Sequence, residues 1–119
     1  MGDLFEQTKS FFENLNRVGA AKPYLALLDR DIEIRAGDQQ FCISVSDGQL
    51  RVTRGEKQSG SYSVVQTTPE VWDRLTRSRL GYTEAGGGMG GDLRCIDGSG
   101  SYTDMSWLGI LTRLAQENR

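Results

Sequence analysis

Hydrophobic residues near the end of the chain, in residues 104–119, recur with the spacing of an α-helix and cover more than one face of it. Four of them follow one another at steps of three, three and four, and therefore share one face: Met105, Leu108, Leu111 and Ala115. Three more extend the apolar surface to a region where a surface helix carries charge: Trp107, Ile110 and Leu114. Such a helix has apolar contacts to make on two sides. The second side suits a buried position in the core, a lipid-filled cavity or a partner protein.

The spacing of apolar residues changes once in the first half of the chain, from helical to alternating. Residues 3–18 are amphipathic with helical spacing, and residues 24–28 form a second short helical turn after Gly19 and Pro23. From residue 31 onward, apolar and polar residues alternate in three runs, as in half-buried strands. Asp47 and Gly48 separate the second run from the third, and this pair favours a tight hairpin turn. The pattern predicts three consecutive antiparallel strands with one solvent-exposed face.

The second half alternates strands with helices. Residues 62–66 are predicted to be a fourth strand, and either Thr67 or Thr68 caps the following helix, with Pro69 in its first turn. The buried stripe of that helix is predicted to contain Val71, Trp72, Leu75 and Leu80. The glycine-rich residues 84–91 lack the Lys-Ser/Thr of a phosphate-binding loop, so we interpret them as a connection into a fifth strand, residues 92–97.

These elements predict one α+β domain over residues 1–119, with a five-stranded mixed sheet and helices on one face. A chain of 119 residues supports one hydrophobic core. The net charge of −2 argues against a nucleic-acid-binding surface. No apolar run is long enough to span a bilayer, and the first residues do not resemble a secretion signal. We therefore expect a cytoplasmic protein.

The candidate chemistry is sparse. Histidine is absent, which removes the commonest general base and metal ligand, and we expect neither enzymatic activity nor a metal or cofactor. Cys42 and Cys95 are far apart in predicted strands, so we expect two reduced, at least half-buried thiols. Asp92, Asp97 and Asp104 flank glycine-rich segments; a carboxylate base is conceivable, but we interpret them as solvated acids that cap turns and helices.

Several local patterns resemble the sterol carrier protein type 2 domain over nearly the whole chain. The first matching segment is residues 63–75, a strand followed by a Thr-initiated helix. The second is residues 91–98, where the family has a strand of the form Gly-x-Leu-x-Ile-x-Gly, and the third is the apolar residues 105–114. The resemblance implies an apolar tunnel between sheet and helices, closed by the C-terminal helix. It implies binding of a sterol, fatty acid, acyl-CoA or similar lipid without catalysis.

If the resemblance extends to the site, eight residues are candidates to line the tunnel: Trp72, Leu75, Met89, Leu93, Cys95, Met105, Leu108 and Leu111. Each of them also fits an ordinary solid core. A second hypothesis is an accessory or dimerisation module that uses the apolar C-terminal helix against a partner protein or a second copy.

Overall fold

The computed structural model describes residues 3–55, 62–86, 92–98 and 101–118. Within them the strands are β1 Arg30–Ala36, β2 Gln39–Ser46, β3 Gln49–Arg54, β4 Tyr62–Thr67 and β5 Leu93–Gly98. The α-helices are α1 Phe5–Glu13, α2 Lys22–Leu27, α3 Pro69–Thr76 and α4 Ser101–Glu117. Two 3₁₀ turns, Asn14–Arg17 and Gly19–Ala21, connect α1 to α2. The predicted order of elements is confirmed.

The strands form one sheet in the order β3-β2-β1-β4-β5. β1 pairs with β4 in parallel, whereas β1 with β2, β2 with β3 and β4 with β5 pair antiparallel, so the mixed five-stranded sheet is confirmed. Because β1 is central, residues on it meet both the hairpin formed by β2 and β3 and the later strands. Arg30 therefore lies within reach of the helix that follows β5.

Two local predictions are confirmed by backbone geometry. Asp47 and Gly48 have φ angles of +52° and +75°, the positive values that a primed hairpin turn requires. Thr68 caps α3, because its Oγ1 accepts a hydrogen bond from the backbone N–H of Val71 at 3.1 Å. Pro69 then occupies the first helical turn, where no backbone N–H is needed.

The apolar core lies between the sheet and the helices. Ile32 and Ile34 of β1 are buried on this face. Trp72 of α3 packs between the rings of Phe12 and Phe41, with centroids 6.0 and 6.2 Å away. Its indole N–H is also satisfied, since Nε1 donates to Thr8 Oγ1 at 2.8 Å. Of the stripe predicted for α3, Trp72 and Leu75 are buried in the core. Val71 is half-buried against it, and Leu80 lies after the end of the helix at Thr76 and is half-buried as well.

The opposite face of the sheet is less exposed than the alternation predicts. Glu33 is fully buried, and so is Cys42 on the neighbouring strand. Asp31 is almost fully buried. Glu33 lies in a row between Cys42 and Val64, and its carboxylate accepts a hydrogen bond from Arg35 Nε at 2.6 Å. The prediction of a solvent-exposed face is therefore wrong at the centre of the sheet, where the buried Cys42 and Val64 flank Glu33 and Arg35 binds its carboxylate.

Both cysteines are free thiols, as predicted. Cys42 is buried and Cys95 is half-buried. Cys42 is in register with Glu33 and Cys95 with Val65, so the two thiols lie on opposite faces of the sheet. Two strands separate β2 from β5, a distance of about 14 Å at the usual strand spacing. A disulfide between them would require the backbone to move.

Candidate functional site

Six of the eight predicted lining residues lie together in one apolar core, each at most 7% exposed: Trp72, Leu75, Leu93, Met105, Leu108 and Leu111. Cys95 is half-buried and packs against the same core. Met89 lies outside the described residues. The structure thus brings seven of the predicted residues to one region between β5, α3 and α4. A tunnel through that region is not shown, so their contact with a ligand stays a prediction.

The two apolar faces of α4 differ in burial. Met105, Leu108, Leu111 and Ala115 are buried, which confirms the core-facing stripe. The second face, formed by Trp107, Ile110 and Leu114, is half-buried. Trp107 meets Tyr24 of α2 edge to face, with ring centroids 5.7 Å apart. One side of α4 is therefore covered by the sheet, and the other is covered in part by α2 and the turns before it.

A charged cluster lies inside this apolar interface. The Asp104 side chain, in the first turn of α4, has no exposed area, and its two oxygens accept hydrogen bonds from Arg30 Nε at 3.0 Å and Arg30 Nη2 at 2.7 Å. Ser63 of β4 donates to Asp104 Oδ2 at 2.5 Å. These distances are typical of charge-assisted hydrogen bonds, and the two-nitrogen contact fixes the orientation of the carboxylate.

The interpretation of Asp104 as a solvated acid is wrong. Asp92 and Asp97 are exposed, as that interpretation expects, but Asp104 is buried because α4 begins before it and turns it toward β1 and β4. Arg30 and Ser63 were not among the predicted site residues. The inward position of Arg30 could have been predicted from the sequence. Side chains alternate between the two faces of a strand, so Arg30 lies on the same face as Ile32 and Ile34. A charge at such a position requires a buried partner.

A second contact fixes the N-terminal half of α4. Tyr82, in the segment after α3, donates from its hydroxyl to the Met105 carbonyl at 2.7 Å. Burial raises the pKa of Tyr82 above its usual range, so the phenol keeps its proton and remains a donor. Its ring lies against Gly109, where an added Cβ would be 2.9 Å from two ring carbons. Sequence reasoning also missed this pair.

A separate groove of about 350 Å³ lies between α1, α4 and the end of α3. Its walls are formed by Gln7, Ser10, Phe11, Asn14, Thr76, Ala115 and Asn118. The amide of Gln7 already donates to Asp73 and Thr76, and that of Asn14 donates to the Asn118 carbonyl. None of the seven predicted residues that the structure describes lines this groove. Its bonded amides hold the helices together and do not indicate a ligand class.

Among the described residues, no group of three or more His, Cys, Asp or Glu side chains could hold a metal ion. Within the same ranges, no helix is both long and apolar enough to cross a membrane.

No family model matches the chain, and no curated protein matches it. Solved structures do. The sterol carrier protein domain 2 of Helicoverpa armigera is 16% identical, with a TM-score of 0.65, and the match covers 96% of this chain and 88% of that one. A crystal structure of sterol carrier protein 2 is 15% identical, with a TM-score of 0.63 over 97% of this chain and 98% of the other. The chain has the sterol carrier protein 2 fold.

A third neighbour, the ubiquinone synthesis protein UbiJ-SCP2, is 17% identical, with a TM-score of 0.62, covering 96% of this chain and 92% of that one. At these identities the matches establish the fold. They confirm the fold that the local sequence patterns suggested. In this chain the sterol carrier protein 2 fold places α4 over the sheet, held by Asp104 on one side and Tyr82 on another.

The Asp104 cluster predicts a large stability effect. We expect Asp104→Asn to lower the free energy of unfolding by about 2–4 kcal/mol, because the Arg30 guanidinium loses its counter-charge inside the interface. This loss is smaller than for a fully buried ion pair, because the Arg30 side chain is 21% exposed and water can partly solvate its charge. Urea unfolding at neutral pH measures the effect. Asp97→Asn, at an exposed acid, is the control and should change stability by less than about 0.5 kcal/mol. Equal losses in the two variants would contradict the assignment.

The Tyr82–Gly109 contact predicts that alanine at position 109 lowers the stability of the protein, although helix propensity alone would raise it. Gly→Ala inside a helix usually stabilises by up to about 1 kcal/mol. We expect Gly109→Ala to destabilise by about 1–2 kcal/mol instead, because the new methyl displaces the Tyr82 ring. In a Tyr82→Ala background, the same change should become stabilising. A double-mutant cycle measured by urea unfolding checks this coupling. Stabilisation by Gly109→Ala in both backgrounds would show that the ring does not seat on Gly109.

Proposed function

We propose that this protein binds a long apolar ligand between its sheet and its helices and carries it without chemical change. The observation that carries the proposal is the sterol carrier protein 2 fold, matched over nearly the whole chain to proteins described as sterol carriers. The clustering of seven predicted lining residues between β5, α3 and α4 supports it. The proposed ligand is a sterol, a fatty acid, an acyl-CoA or a similar lipid.

The physical chemistry of the core supports such binding. Each methylene removed from water contributes about 0.8 kcal/mol, so a buried chain of a dozen contributes on the order of 10 kcal/mol before association costs. Micromolar affinity then needs no charged contact. Met105 suits a wall that must adapt, because its side chain is unbranched and polarizable. The Cys95 thiol, half-buried on the same side, adds a small apolar surface.

The way α4 is held suggests how space for a ligand arises. Its first two turns are fixed to β1 and β4 through Asp104 and to the segment after α3 through Tyr82. The side that carries Trp107, Ile110 and Leu114 meets its neighbours through half-buried apolar contacts. Such contacts reform easily after a small rotation, whereas the buried ion pair does not. We therefore place ligand entry on the Trp107 side of α4.

The proposal is non-catalytic, and it leaves no role for a metal or cofactor. The competing hypothesis, an accessory or dimerisation module that uses α4 against a partner, remains an outcome of the tests below. A cytoplasmic location also stays a prediction, as does the role of Met89.

Substitutions at Leu111 test the site. Leu111→Met conserves volume and should cost less than about 1.5 kcal/mol in binding of a fluorescent fatty-acyl probe. Leu111→Arg would place an unpaired charge where the acyl chain lies, so probe binding should be lost. Thermal unfolding of each variant shows whether Leu111→Arg also unfolds the protein.

Alkylation of Cys95 gives a readout that needs no substitution. The half-buried Cys95 should react with a maleimide in the native protein, and saturating fatty-acyl probe should slow that reaction. The fully buried Cys42, on the other face of the sheet, is the internal control and should react only on unfolding. If neither the probe nor a sterol or acyl-CoA competitor binds at micromolar concentration, the carrier proposal fails and the partner-binding module replaces it.

A further inference from the structure

A buried hydroxyl group without a partner lies beside the proposed site. Thr67, the last residue of β4, is 6% exposed, and its Oγ1 forms no hydrogen bond with any described residue. Within the described ranges, it is the single buried side-chain nitrogen or oxygen for which this holds. The start of α3 does not use it, because Thr68 caps that helix. Unpaired buried hydroxyls are rare in folded proteins because each one costs free energy.

The register of the strands places the Thr67 side chain on the helix-covered face of the sheet. Thr67 is in register with Ala36 of β1 and Leu93 of β5, and both are fully buried in the apolar core. Earlier on β4, Val65 lies in the same core and Ser63 bonds the first turn of α4. Because side chains two positions apart on a strand share a face, Thr67 points the same way. Its hydroxyl therefore lies between β5 and the start of α3, beside the predicted lining residue Leu93.

The other buried hydroxyls among the described residues are all bonded. Ser63 donates to Asp104, whereas Thr8, Thr76 and Thr112 each donate to the carbonyl four residues earlier on their own helices. A threonine inside a helix has that carbonyl within reach. Thr67 lies on a strand, where no such carbonyl exists. A partner for its hydroxyl must therefore come from outside the strand, and a ligand in the proposed site is in the right place to supply one.

The charges around Thr67 indicate which ligand group fits. The cations that flank it on the sheet, Arg35 and Arg94, are in register with Gln66 and therefore lie on the opposite face. Among the described residues, Asp104 is the one fully buried charge on the helix-covered face, and it is already paired. It lies at the other end of β4, about 13 Å away at the usual rise per strand residue. A carboxylate or phosphate beside Thr67 would be buried without a counter-charge, which is costly, whereas a neutral hydroxyl or carbonyl would not.

We propose that Thr67 binds the polar end of the carried ligand and that this end is a neutral hydroxyl or carbonyl group. The inference rests on the proposed carrier function and names the ligand class for it. That class is a long apolar molecule with one uncharged polar group, in preference to an ionised fatty acid or an acyl-CoA. The polar group bonds Thr67 Oγ1, and the apolar body lies along Leu93 and Leu75. Thr67 is therefore a specificity-determining residue of the site.

Paired lipids with and without a hydroxyl test this contact. Partition of radiolabelled 1-hexadecanol and hexadecane between the protein and methyl-β-cyclodextrin gives the ratio of their affinities. Thr67→Val should lower this ratio about tenfold, because it removes the hydroxyl and nearly preserves the side-chain shape. Thr67→Ser keeps the hydroxyl and should keep most of the ratio. Thr112→Val, the matched control, removes a buried hydroxyl that is already bonded and should leave the ratio unchanged.

Unfolding without ligand tests Thr67 independently of any lipid. Thr67→Val should be at least as stable as the wild type, because no hydrogen bond is lost. Ser63→Ala, in contrast, removes a hydrogen bond to the buried Asp104 and should lower the midpoint of thermal unfolding. A Thr67→Val protein destabilised as much as Ser63→Ala would show that Thr67 already has a partner in the protein, and this would overturn the inference.

The choice of lipid separates this inference from the carrier function. At neutral pH the wild type should bind 1-hexadecanol at least about tenfold more tightly than palmitate or palmitoyl-CoA. Cholesterol and cholestane form a second pair, and whichever pair loses its affinity ratio in Thr67→Val identifies a chain or a ring system as the apolar body. Tighter binding of palmitate or palmitoyl-CoA, or ratios unchanged in Thr67→Val, would overturn the role of Thr67 and leave the carrier function intact. If none of these lipids binds the wild type, the carrier function fails and this inference fails with it.

Discussion

The ion pair between Asp104 and Arg30 determines where the last helix lies. Apolar contacts between α4 and the sheet are strong but non-directional, so they tolerate rotation and sliding of the helix. The carboxylate of Asp104 is different, because it must meet Arg30 and Ser63 at fixed angles once it is out of water. That requirement specifies which face of α4 points inward. Burial of Met105, Leu108 and Leu111 follows from it, as does the half-buried position of Trp107.

Elements with local signals could be predicted from the sequence. The hairpin turn at Asp47 and Gly48 follows from the positive φ angles that these residue types tolerate, and the start of α3 follows from Thr68 and Pro69. That Met105, Leu108, Leu111 and Ala115 share one face of α4 could be predicted from their helical spacing. Each of these signals lies within a few residues of the feature it specifies. The same holds for the alternation that gave the first three strands.

Contacts between distant residues could not be predicted in this way. Arg30 and Asp104 are 74 positions apart, and Ser63 and Asp104 are 41 apart, so nothing local shows that they meet. The burial of Glu33 likewise depends on β1 becoming the central strand, which requires its pairing with β4. Tyr82 and Gly109 form one contact only after α4 is in place. A tunnel could not be predicted from the sequence either, because the residue types that line a tunnel are the same ones that fill a solid core.

Native mass spectrometry of the freshly purified protein tests the carrier account most directly. We expect the folded protein to retain an adduct with the mass of a lipid, and saturating fatty-acyl probe to displace it. Unfolding the protein should release the adduct, because the proposed site requires the sheet and α4 to be packed together. A ligand-free monomer or dimer that also takes up no added lipid would contradict the account.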